Sequence, residues 1–144
     1  MCLMLYMATV SEQPCWSSSD LRVEPLEPAR EAVRRHFTLQ EVRVIGSHLG
    51  CGCGFPSVIA EQPIDYFHGM LDGAPDRTAD LRSVVSLLEL LRLLTRTGAV
   101  ELYPVGDGDE GQPGKGTIER RVADLEATTF FLNERFLYRM VSET

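Results

Sequence analysis

An α+β domain is the fold class this sequence predicts, and three stretches predict it. Residues 79–97 hold leucine and valine at helical spacing, with only a narrow polar stripe. Two short runs, Glu41-Val-Arg-Val-Ile45 and Ala99–Val105, alternate in the manner of half-buried strands. Between the first strand and the helix runs Gly46-Ser-His-Leu-Gly-Cys-Gly-Cys-Gly-Phe55, a glycine-rich loop. This order implies a four- or five-stranded mixed sheet. A long buried helix (79–97) and a shorter helix (28–37) would pack on it, side by side.

The first 27 residues show no periodicity. Pro14, Ser17 to Ser19 and Pro25 interrupt them, so they are expected to form a poorly ordered tail, with residues 28–144 as a single domain. The apolar start Met1-Cys-Leu-Met-Leu-Tyr6 is odd on such a tail, and Met7 is an alternative start. Pro28 suits the first position of a helix, and Ala29, Ala32, Val33 and Phe37 fall on one face at α-helical spacing. Arg34, Arg35 and His36 then lie at the negative end of the dipole as a solvated helix terminus. In the following strand Val42 and Val44 share a face, and strict parity puts His48 on it as well.

Residues 55–78 read as a long irregular connection with apolar content, in which Asp65 and His68 are candidate polar groups. Thr78 is a suitable cap for the helix that follows, and Gly98 a suitable stop. A strand, a helical connection and a strand imply a crossover if the two strands are parallel neighbours. In the second strand Val100 and Leu102 point inward, Glu101 and Tyr103 outward. A solvated hairpin tip is expected over Gly106–Gly116, then a strand over residues 117–122. Thr129-Phe-Phe-Leu132 and Phe136–Val141 would form a closing hairpin.

Composition narrows the function classes. The 144 residues carry a formal charge of -7. Phosphate backbones and anionic membrane surfaces are gripped by Lys and Arg, so neither nucleic acid nor membrane is expected as a partner. A soluble acidic domain suits a basic protein partner instead. The four cysteines, Cys2, Cys15, Cys51 and Cys53, make no disulfide framework, and no secretory signal is evident; a cytoplasmic location follows.

The glycine loop supports three readings. In the first, glycine and small cysteines serve close packing of Gly50, Cys51, Gly52, Cys53 and Gly54. Alternatively, His48, Cys51 and Cys53 ligate zinc, though one Cys-x-Cys lacks the second pair of a structural zinc site. In the third, a cysteine is a reactive thiol. Asp107, Asp109 and Glu110 are weak cation candidates. The stretch fails as a calcium loop because Ile118 stands where the closing Glu belongs. It fails as a phosphate loop because Asp109 stands at the first glycine.

No paired carboxylates, nucleotide fingerprint or Ser-His-Asp order stands out. The Gly-Cys-Gly-Cys-Gly-Phe55 stretch and the closing Phe-Phe-Leu-Asn-Glu-Arg-Phe-Leu-Tyr138 together resemble an uncharacterised small bacterial domain family. The resemblance spans about residues 41–141 and implies no activity. Size and acidity are also similar to those of bacterial immunity proteins, a fold-level analogy that implies binding to a toxin. The expected function is therefore a non-enzymatic binding module with no cofactor. A metal- or thiol-dependent site at His48, Cys51 and Cys53 is the alternative.

Overall fold

The computed structural model describes residues 3–55 and 78–142. Its centre is a seven-stranded mixed sheet, two or three strands more than expected. In chain order the strands are β1 (Leu3–Thr9), β2 (Trp16–Ser17), β3 (Leu21–Pro25), β4 (Glu41–Ser47), β5 (Val100–Gly106), β6 (Gly116–Arg121) and β7 (Phe136–Val141). Their spatial order is β2-β3-β4-β1-β5-β7-β6. Every neighbouring pair is antiparallel except β6 and β7.

The expected loose tail is instead part of the sheet. β1 is its middle strand, with β4 on one side and β5 on the other. A strand buried on both faces has no polar side to alternate with, so it reads as a continuous apolar run. Leu-Met-Leu-Tyr-Met-Ala is such a run. Because β1 is antiparallel to both neighbours, β4 and β5 point the same way with β1 inserted between them. The helical connection from β4 to β5 thus spans an intervening strand rather than joining adjacent ones.

Each face of the sheet has its own cover. The helix α1 (Thr78–Leu94) buries Val84, Leu87, Leu88 and Leu91 against Leu5, Met7, Ile45, Leu102 and Tyr138. It stops three residues short of the expected end. Its burial is one-sided, not all round: Val85 and Leu93 are exposed. The opposite face gathers Met4, Tyr6, Ala8, Val42, Val44, Tyr103 and Val105 around Val33. Val33 belongs to a 3-10 helix, η1 (Pro28–His36), so the two helical segments lie on opposite faces and not side by side.

The 3-10 form explains which residues of η1 matter. Three residues per turn put i, i+3 and i+6 in one row. Arg30, Val33 and His36 form that row. They are the half-buried and buried positions, while Ala29 and Ala32 of the expected α-helical face are exposed. The basic end is not merely solvated. Arg34 pairs with Glu31 and donates to the Gln40 carbonyl, and Arg35 donates to the Gly111 carbonyl. His36 stacks on Tyr103 with ring centroids 4.3 Å apart. Its Nε2 lies 2.8 Å from the Glu110 carbonyl; that oxygen only accepts, so Nε2 carries the proton.

Two covers also overturn the expected outward direction of Glu101 and Tyr103, each only 1% exposed. The Glu101 carboxylate accepts from the backbone N–H groups of Thr38 and Leu39, both at 2.9 Å, and from the Thr38 hydroxyl at 2.6 Å. It ties the chain after η1 to β5. The expected closing hairpin is absent as well. Thr129 and Phe130 lie in a turn bonded to the Glu126 carbonyl, and β7 pairs with β5 and β6. Nor is Gly106–Gly116 a hairpin tip, because β7 separates β5 from β6.

Candidate functional site

The glycine loop closes the end of β4 onto β1. The Ser47 hydroxyl donates to the Cys51 carbonyl at 2.7 Å and accepts from the Leu49 and Gly54 N–H groups. Gly50 turns the chain with φ +85°. Residues Gly52–Gly54 form a short 3-10 turn, η2. A Cβ at Gly52 would sit 2.9 Å from the Leu3 carbonyl oxygen, so glycine is there for the passage of β1. The close neighbour is thus the strand β1.

This closure scatters the expected metal ligands. His48 leaves the face of Val42 and Val44 and turns to α1, because the chain bends after Ser47. Its Nε2 meets Asp80 Oδ1 at 3.2 Å, and its Nδ1 meets Ser83 Oγ at 3.0 Å. Cys51 packs instead with the cluster on the other face. Cys53 is exposed, and its Sγ accepts the Leu3 N–H at 3.3 Å. Among the described residues no three His, Cys, Asp or Glu side chains are grouped as a metal site. Asp65 and His68 lie outside the described residues.

Asp80, His48 and Ser83 do form a carboxylate–imidazole–hydroxyl series that sequence order concealed. The carboxylate accepts only, so Nε2 donates to it and Nδ1 accepts from Ser83. Ser83 Oγ also receives the His48 backbone N–H at 3.1 Å. Yet Ser83 is fully buried. A nucleophile must reach its substrate, so this series acts as a clamp between the end of β4 and the first turns of α1.

On the opposite face a second polar cluster was partly foreseen, with a different role. Asp107 and Glu110 are taken up by Arg30 rather than by a cation. Arg30 Nη1 donates to Asp107 Oδ1 at 2.6 Å, to Glu110 Oε2 at 2.8 Å and to Tyr6 Oη at 3.3 Å. The Tyr6 hydroxyl donates to Glu110 Oε2 at 2.5 Å, and the Gly108 N–H to Oε1 at 2.9 Å. Burial alone would raise the Glu110 carboxyl, but the hydrogen bonds from Tyr6, Arg30 and backbone N–H groups outweigh it and hold it below the ordinary range. Burial and then the Glu110 hydrogen bond push the Tyr6 hydroxyl up. Asp109 is half-buried and not part of this cluster.

Beside this cluster opens a cavity of about 250 Å³, lined by Met4, Glu24, Pro25, Glu27, Arg30, Val44, Gly50, Cys51 and Asp107. Five segments meet there: β1, β3, the start of η1, β4 with its glycine loop, and the loop after β5. Gly50, Cys51 and Asp107 were expected at a site; Glu24, Glu27 and Arg30 were not. Glu27 and Arg30 carry a visible spacing signal, opposite charges three residues apart, 4.0 Å from Glu27 Oε2 to Arg30 Nε. Glu24 gives none, because it falls within the stretch that reads as a tail. Three carboxylates against one guanidinium leave the lining two charges negative. Met4, Pro25 and Val44 supply an apolar wall.

No protein-family model, curated protein or solved structure matches this chain.

Proposed function

We propose that the chain is a non-enzymatic binding module that engages a basic protein partner through the cavity face. The observation that carries this reading is the cavity itself, a preformed concavity with an apolar wall and a negative lining, in a chain of net charge -7. Complementary charge steers encounter and rejects wrong partners. A lining of this sign repels phosphate, which supports a protein rather than a nucleic acid as partner. In its most specific form the partner is a basic toxin, as for the bacterial immunity proteins that the chain resembles in size and acidity. Among the described residues no helix is long and apolar enough to cross a membrane. A reducing, cytoplasmic setting fits four cysteines without a disulfide framework.

The test is calorimetric titration of the full chain with a Lys/Arg-rich peptide and with an Asp/Glu-rich peptide of equal length. The basic peptide should bind, and Glu24→Lys with Glu27→Lys should weaken it by about tenfold or more, mainly at low salt. Binding that survives both charge reversals would remove the cavity face from the reading.

A further inference from the structure

We infer that the cavity receives one arginine side chain of that partner; the inference rests on the binding-module reading and makes it specific. The walls differ in chemistry in the way a long cationic side chain needs. Met4, Pro25 and Val44 offer apolar surface to an alkyl stem, while Glu24 and Glu27 offer acceptors to its head. Arg30, the cation already present, is held by Asp107, Glu110 and Tyr6 through one nitrogen, Nη1. Its nearest approach to Glu27 is 4.0 Å, beyond hydrogen-bonding distance. Glu24 makes no ion pair among the described residues. Glu24 and Glu27 therefore keep acceptor capacity for an incoming donor.

A guanidinium suits this place better than an ammonium. It is planar, presents a fork that matches a carboxylate, and is more weakly hydrated, so it leaves water more readily for a part-apolar cavity. The site is also braced before a guest arrives. Arg30, Tyr6, Glu110 and Asp107 form one bonded cluster at one side, and the Ser47–Cys51 hydrogen bond fixes the Gly50–Cys51 wall at the other. Preorganised walls reduce the ordering penalty of binding.

The experiment titrates the isotopically labelled full chain with N-acetylarginine methylamide and follows the backbone amides of Gly50, Cys51 and Glu27 by NMR. The arginine probe should give saturable shifts at those amides. Glu24→Gln/Glu27→Gln, which alters half-buried and exposed side chains and should melt like the parent, should weaken it about tenfold. The uncharged N-acetylnorleucine methylamide should not saturate. Equal binding of the norleucine probe, or undiminished binding by the double variant, would overturn the inference. Tighter binding of spermidine would assign the cavity to a small polyamine and overturn it too. If the arginine probe fails while the Lys/Arg-rich peptide still binds in a Glu24- and Glu27-dependent way, the side-chain assignment falls and the broader reading stands. If neither binds, both fall.

Discussion

Two buried carboxylates do most of the polar work at the residue scale, and each makes a prediction. Glu101 serves three donors, the Thr38 and Leu39 backbone N–H groups and the Thr38 hydroxyl. Thr38 is exposed and Leu39 half-buried, so water can re-satisfy part of what is lost, and Glu101→Ala should lower the unfolding free energy by about 1–3 kcal/mol. Urea denaturation checks this; a loss below about 1 kcal/mol would contradict it. Glu110 is different because its charge is favoured by the fold. Its folded pKa lies below the unfolded value of about 4.3, so its contribution is present above that pH and lost as pH falls through the folded value. Glu110→Gln should therefore be less stable than the parent at pH 7, and the gap should narrow as pH falls below the unfolded value and through the lowered folded one. A constant gap would show that Glu110 acts by shape alone. Neither role was legible in the sequence. Alternation sends Glu101 to solvent only if one face of the sheet is wet, and Glu110 lies in a Gly/Asp-rich stretch that reads as a solvated tip.

At the scale of elements, the long helix was legible because it has one buried face and keeps its period; β4 and β5 were legible because Glu41, Arg43 and Glu101 alternate with apolar residues, although β5 is buried on both faces. What escaped was β1 and the true form of η1. β1 is apolar on both sides, which erases the alternation, and its partners are far away in sequence. The row Arg30, Val33 and His36 has a period of three, and the α-helical period picks the wrong face. The glycine loop was legible as unusual; strict parity points His48 away from Cys51 and Cys53, and the bend after Ser47 breaks that parity but turns His48 to Asp80 and Ser83 instead. Two consequences are measurable. Deleting residues 1–9 removes the strand between β4 and β5 and should abolish the cooperative unfolding transition, not merely trim a tail. Gly52→Val should destabilise strongly, since its Cβ alone would meet the Leu3 backbone at 2.9 Å. Gly111→Ala, whose Cβ would be 3.8 Å from Ala32 Cβ, is the control and should be nearly neutral. Comparable melting temperatures for the two variants would remove the close-approach explanation of Gly52.

At the scale of the molecule, the sheet is a shared wall, and the two clusters on its faces should melt together. Tyr6 on β1 and Tyr103 on β5 sit directly opposite each other on the η1 face, while Tyr138 on β7 belongs to the α1 face. Burial, the largest cause in each case, raises all three hydroxyls above the ordinary tyrosine value of about 10. A raised folded pKa means the fold retains the proton. The associated stability is full below about pH 10 and is lost as pH rises through the folded values. In an alkaline titration the phenolate absorbance of at least three of the four tyrosines should therefore appear only with loss of the circular-dichroism signal. Coupling between the faces is tested with Leu88→Ala, a core truncation on α1 that should cost about 2–5 kcal/mol. If the sheet unites both layers, this change should move ionisation of Tyr6 and Tyr103 to lower pH even though it lies on the other face. The single-tyrosine variants Tyr6→Phe and Tyr103→Phe assign the absorbance steps. A variant in which only Tyr138 ionises early, with Tyr6 and Tyr103 unmoved, would mean that each face holds the sheet independently.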